Sequence, residues 1–230
     1  YQQQLARVAG PLVGYKVDLS NLHLQKTFHA GEPVWGSYYQ SMLLPAQQDP
    51  VDVRYGSQPV FLANLLVRVS DAGINDAQTA EDVLLHIDQI VPFIELADLQ
   101  VQKPSGLTAH HLTAINAAAR LGVMGQPFAV EADAKNRKRL LRELEGMSVR
   151  VMDGKGRLLG RGKGSDVMGH PLRSVVWLAA ALRKEGLSLQ PGQWISLGAL
   201  SPMFRPRTGE KVTVAYAGLT GVRPVGVRFQ

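Results

Sequence analysis

From Val60 to Val69 the chain reads VFLANLLVRV, in which only Asn64 and Arg68 are polar. A run this apolar leaves no face for water, so as an extended strand it must be central and covered on both sides. Pro92 to Val101, PFIELADLQV, is a second such run and contains Glu95. Two strands buried on both faces require apolar layers above and below them. No apolar run in the chain reaches the length of a membrane span; the longest, around Val175 to Leu182, is bounded by Arg173 and by Arg183-Lys184.

The remaining sequence supplies those layers. Pro171 suits the first turn of a helix in which Leu172, Val175, Val176, Ala179 and Leu182 form one apolar stripe, with Gly186 as the left-handed stop. Pro191-Gly192 then turns the chain into a strand expected from Trp194 to Leu200. Met147 to Met152 and Arg157 to Gly162 flank Asp153-Gly154-Lys155-Gly156, a strong hairpin signal. Upstream, Tyr15 to Leu19 reads as a strand, Asn21 to Phe28 as a short capped helix, and Tyr38 to Leu44 as another strand start. Pro45 to Gln58 reads as a loop and Pro104-Ser105-Gly106 as a turn.

Thr79 to Asp82 opens a helix expected to carry Val83, Leu84, Ile87, Ile90 and Val91 inward, and Thr108 to Leu121 is expected to be helical throughout. Ala132 to Leu144 is a basic helix with Leu140, Leu141 and Leu144 at core spacing. Lys211 to Tyr216 alternates as a strand, and Val222 to Phe229 closes the chain as a strand at a sheet edge or bend. Strands dominate the C-terminal third and helices the middle, which points to α+β. Residues 1–13 read as the remnant of an N-terminal helical segment, and 14–230 as a single domain.

Charge narrows the partners. The net charge of +6 favours anionic small molecules. The basic helix has no interleaved aromatic residues for base stacking and has acids on either side, so it reads as a solvated face and not as a nucleic-acid surface. His110-His111 are adjacent, so their rings diverge on a helix and cannot chelate one ion. His170, before Pro171, reads as a structural cap. The chain has no cysteine, which excludes disulfides and thiolate metal sites. With no membrane segment, a cytoplasmic protein is expected.

Particular words in the sequence say more. Gly164-Ser165, Gly169-His170-Pro171-Leu172, Val176-Trp177-Leu178-Ala179 and Gly198-Ala199-Leu200-Ser201-Pro202-Met203, with Gly14-Tyr15-Lys16-Val17 and Glu32-Pro33-Val34-Trp35-Gly36 upstream, resemble the 2-keto-4-pentenoate hydratase / 4-oxalocrotonate decarboxylase family. That family lies in the fumarylacetoacetate-hydrolase-like superfamily, and the likeness covers nearly the whole chain. It implies a mixed β-sandwich or roll with packed helices, homo-oligomers, and a lyase acting on small 2-keto or enol acids. The implied activity is hydration of 2-hydroxypenta-2,4-dienoate to 4-hydroxy-2-oxopentanoate in aromatic-ring degradation.

The resemblance also implies Mg²⁺ or Mn²⁺ held by three carboxylates, two from a Glu-x-Glu pair on one strand and one from a following strand. Here the pair falls on Leu62 and Asn64 within Gln58-Pro59-Val60-Phe61-Leu62-Ala63-Asn64-Leu65, and the third carboxylate is Glu95. Lys16 matches an active-site lysine, and Asn116 and Ser165 match an asparagine and a pocket-side serine. Val34 and Ile115 stand where the family has aspartates. The expected catalytic residues are thus Lys16 and Glu95, and the substrate-binding ones Asn64, Asn116 and Ser165. No tight metal is expected. The activity is expected to be lost or altered; the alternative is a catalytically silent scaffold or partner subunit of an active relative. Without an ion, Glu95 needs another partner, and a direct or water-bridged Lys16–Glu95 pair is expected.

Overall fold

The computed structural model describes residues 2–46, 50–101, 106–131 and 133–230. The chain runs through helix α1 (Gln2–Ala9), strand β1 (Leu12–Asp18), α2 (Leu22–Thr27), β2 (Val34–Tyr39) and β3 (Leu43–Pro45). It continues with β4 (Pro59–Val69), α3 (Ala80–Leu85), β5 (Ile87–Asp98), α4 (Ala109–Ala114), β6 (Ala119–Met124), β7 (Phe128–Ala129) and α5 (Ala134–Gly146). The last part contains β8 (Ser148–Asp153), β9 (Leu158–Lys163), α6 (Arg173–Lys184), β10 (Trp194–Ser196), β11 (Lys211–Ala217) and β12 (Val225–Arg228). The turn expected at Pro104-Ser105, the middle of the Pro45–Gln58 loop and the first residue of the basic helix lie outside the described residues.

The fold is α+β, as the sequence implied. A large mixed sheet has the order β2-β1-β10-β4-β5-β6-β3, with β7 beside β5, and a four-stranded sheet has the order β12-β11-β8-β9. The two apolar runs are the central antiparallel pair, in register from Pro59↔Asp98 to Val69↔Ile87. One face of the large sheet meets the small sheet, α5 and α6 in a continuous core that includes Val17, Leu65, Val151, Val214, Leu144 and Leu178. The opposite face carries Lys16, Asn64 and Glu95.

Three expectations are corrected. The helix opened by Thr79 ends at Leu85; Ile87, Ile90 and Val91 belong to β5 instead. Their spacing mimics a helix, but β-branched residues before Pro92 are worth more as partners of β4 along its whole length. The helix from Thr108 stops at Ala114, and Asn116, Ala117 and Ala118 turn left-handed at φ 58°, 51° and 56° before β6 begins. The strand from Trp194 ends at Ser196, because Gly198 sits at φ 114° against Ser20, where any side chain would collide.

β12 lies at the edge of the small sheet as expected, and the chain's own Val51 pairs with the C-terminal end of that edge. The N–H of Val51 donates to Arg228 O at 2.8 Å, and the N–H of Gln230 donates to Val51 O at 2.9 Å. The exposed edge is therefore shortened at its C-terminal end by the chain itself. Among the described residues no helix is long and apolar enough to cross a membrane.

Candidate active site

Strand alternation builds the site. In β1, Tyr15 and Val17 enter the main core, so Lys16 and Asp18 point to the other face. Leu62 and Asn64 of β4 share that face, and Leu62 stands directly opposite Glu95 of β5. Ser196 of β10 stands opposite Lys16, and Gly36 of β2 on its other side. Gly36 is required: a Cβ there would come within 2.3 Å of the Asn116 carbonyl oxygen.

The ammonium of Lys16 is fully buried, at 0% exposure. It donates to Glu95 Oε1 in a direct ion pair, to Ala117 O at 2.7 Å and to Asp18 Oδ2 at 3.2 Å. The other oxygen of Glu95 accepts from Asn64 Nδ2 at 2.9 Å. Asn64 Oδ1 in turn accepts the N–H groups of Leu65 at 2.8 Å and Gly198 at 3.1 Å. Both ends of Asn64 and both oxygens of Glu95 are thus committed within the protein. From behind, the Tyr216 hydroxyl donates to Asn64 O at 2.6 Å and accepts from Phe93 N at 3.2 Å, pegging the small sheet to the strands that carry the site.

The electrostatics follow from two carboxylates around one ammonium. Burial pulls Lys16 down, but Asp18 and Glu95 together outweigh it and hold the amine above its ordinary value. Burial pushes Glu95 up; Lys16 pulls it back only in part, and Asp18 adds to the push. Burial, then Glu95 and Asp18, raise the phenol of Tyr38 well above its usual range. Asp18 was not anticipated. Its place two residues after Lys16 on the same strand was the signal that would have found it.

The other expected site residues are not brought to the ammonium. Asn116 clamps the backbone of β2, accepting Ser37 N–H at 2.7 Å and donating to Ser37 O at 2.9 Å, so its polar atoms are spent on structure. Ser165 is exposed on the 3-10 turn Gly164–Asp166 and takes no part in these hydrogen bonds. His110 and His111 are exposed, and His111 Nδ1 accepts from Thr108 N at 3.1 Å. His170 accepts Leu172 N–H at 3.2 Å on Nδ1 and faces Leu141 O at 3.1 Å through Nε2, the arrangement of a neutral structural cap. Among the described residues the buried hydroxyl of Ser20 has no hydrogen-bond partner, and those of Tyr38 and Ser196 have at most each other. Tyr38 and Ser196 share the sheet face of Lys16, and Ser20 abuts Gly198.

A divalent ion does not fit this donor set. Mg²⁺ and Mn²⁺ take hard oxygen ligands and favour carboxylates. Leu62 offers none, the oxygen of Asn64 is turned to two backbone N–H groups, and the positive charge beside Glu95 is the Lys16 ammonium. Among the described residues no group of three or more His, Cys, Asp or Glu is arranged to hold a metal.

No family model matches the chain. It is 29% identical over 222 residues to a TodF product hydratase from Pseudomonas putida, covering 95% of this chain and 78% of that one. It is 26% identical over 213 residues to a 2-keto-4-pentenoate hydratase from Paraburkholderia phymatum, covering 92% and 77%. Among solved structures, a 4-oxalocrotonate decarboxylase from Pseudomonas putida G7, complexed with magnesium and adipate, matches with a TM-score of 0.82 at 22% identity, covering 100% of this chain and 82% of that one. A fumarylacetoacetate hydrolase family protein from Yersinia pestis CO92 matches with a TM-score of 0.66 at 13% identity, covering 94% and 92%. The chain is a homologue of the 2-keto-4-pentenoate hydratases and 4-oxalocrotonate decarboxylases, built on the fold of the fumarylacetoacetate hydrolase superfamily.

Proposed function

We propose that this chain is a hydratase-like protein in which cation-dependent chemistry on 2-keto acids has given way to a closed ion-pair cluster, leaving a binding or scaffold subunit. One observation carries the reading: Lys16, Asn64 and Glu95 are 0%, 0% and 2% exposed and satisfy one another, with Leu62 opposite Glu95. A substrate carboxylate approaching Lys16 would have to displace Glu95, Asp18 and Ala117 O from it. Each oxygen of Glu95 and the side-chain oxygen of Asn64 already accepts a hydrogen bond within the protein.

The test has two arms. Chelator-treated protein titrated calorimetrically with Mg²⁺ and Mn²⁺ gives no saturable heat up to millimolar ion. The same protein incubated with 2-hydroxypenta-2,4-dienoate and either ion leaves the dienol absorbance unchanged. A micromolar ion site, or ion-dependent loss of the dienol, overturns the reading.

A second reading is favoured by the buried hydroxyls of Ser20, Tyr38 and Ser196, the first unpartnered and the other two with at most each other, which offer hydrogen bonds to a small polar occupant. In it the chain acts on a small 2-keto or enol acid without a metal, with Glu95 moving the proton and Lys16 holding the anion. Proton exchange at C3 of a 2-keto acid, followed by NMR in deuterated water and abolished in Glu95→Gln, distinguishes it from the silent scaffold.

A further inference from the structure

The outward face of the small sheet carries a charge pattern that its fold does not require. Val149 and Val151 of β8, and Val212 and Val214 of β11, are fully buried, so their alternating neighbours point away from the core. On that outward face stand Arg150, Arg161, Lys163, Lys211 and Arg228, all exposed. Arg150 is directly opposite Arg161, and Lys211 is directly opposite Arg228. Like charges in directly opposed positions of an antiparallel pair destabilise it. This face contains two such pairs.

The fold does not neutralise them. Among the described residues none of these cations has a carboxylate within ion-pair distance. Asp153, at the nearby hairpin, is held by Arg157 and by the N–H groups of Lys155 and Arg157. Asp166, at the rim, accepts the backbone N–H of Lys163. Between the charged pairs, Leu158, Met152, Thr213 and Gly226 stand in register across the four strands, with Leu158 48% exposed. The cations therefore flank a partly apolar strip, with recesses lined by Arg161 and Lys163 at one end and by Lys211 and Arg228 at the other that leave room for a partner's side chains.

We propose that this sheet face is the docking surface for an acidic face of another protein, whose carboxylates meet the Arg150/Arg161 and Lys211/Arg228 pairs. Paired guanidinium groups suit carboxylates, which they engage through parallel N–H···O bonds. The strands present no outward aromatic ring, so a stacking platform for bases is missing and nucleic acid is disfavoured. A second copy placed face to face would set like charge against like. The surface is separate from the Lys16 cluster, which lies on the large sheet, and its proposal does not depend on whether that cluster is catalytic.

The test is fluorescence anisotropy at low and physiological salt, with a labelled glutamate-rich peptide and with single-stranded and duplex DNA as probes. Arg150→Glu with Lys211→Glu is compared with Lys135→Glu and Lys138→Glu on α5, which change the net charge equally. The peptide is expected to bind more tightly than either DNA. Its affinity should fall about tenfold or more in the sheet variant and by less than about twofold in the α5 variant, because complementarity is local within a Debye length. Arg150→Glu alone should raise the melting temperature by pairing with Arg161, which separates loss of the surface from loss of the fold. Equal losses in both double variants, tighter binding of DNA, or no peptide binding by the wild type at low salt each overturn the proposal.

Discussion

Lys16 is the residue on which the site turns. An ammonium at 0% exposure is tolerated because two carboxylates and a carbonyl oxygen surround it. Removing one partner of such a pair strands the other. Lys16→Met should therefore cost about 3–5 kcal/mol in denaturant unfolding, and Lys16→Met with Glu95→Gln should recover much of that loss. Small, additive losses would count against the ion pair. The pH dependence has a definite sign. Glu95 is raised above its ordinary 4.5, so it binds its proton more tightly in the folded state. Its favourable contribution is full below 4.5 and is withdrawn as pH rises through the folded value. Lys16 is raised above its ordinary 10.5, so its contribution is full below 10.5 and is lost as pH climbs through its folded value. The stability difference between wild type and the double variant, measured by thermal melts across pH, should step down in both windows. A flat difference would refute the pair as the titrating unit.

At the level of elements, the left-handed run Asn116–Ala118 does what neither α4 nor β6 could do alone. Each residue in that conformation costs about 1–2 kcal/mol where the side chain has a Cβ, and the run persists because its neighbours fix it. It aims Ala117 O at the Lys16 ammonium and locks Asn116 onto the Ser37 backbone. Asn116→Ala would leave a buried N–H and C=O of Ser37 without their partner and put a less tolerant residue at positive φ. A loss of about 2–4 kcal/mol is expected, read by chemical denaturation. Asn116→Asp, which keeps the acceptor for Ser37 N–H, should lose less than Asn116→Ala unless the new charge is itself stranded; an Asn116→Ala variant as stable as wild type would remove the clamp from the account.

At the scale of the whole molecule, the two sheets are joined at Tyr216, and the core lies between the large sheet, the small sheet and the helices α5 and α6. The C-terminal end of the β12 edge is paired with the chain's own Val51–Val53 segment, which shortens the edge open to self-association. Self-association is proposed on the family resemblance; Val8 at 88% exposed, Leu22 at 73% and Leu85 at 52% are among the apolar side chains it could cover. Sedimentation at micromolar concentration should give a species larger than one chain, and a clean monomer would overturn it.

The sequence by itself determined which segments are central and what the site lacks. VFLANLLVRV reads as a strand covered on both faces, and the structure makes it the centre of the large sheet; that Leu62 and Asn64 stand where relatives carry carboxylates is what the family resemblance implies. The first statement depends on residue type along one segment, which the chain carries within itself; the second depends on likeness to other sequences. The tertiary structure decided the rest. That Ile87 and Ile90 extend β5 rather than α3 depends on an unbroken partner strand far away in sequence. That Asp18 joins Lys16, that Asn116 braces β2, and that Arg150 faces Arg161 depend on register between strands. Register is set by pairing and burial across the sheet, and no local pattern states it.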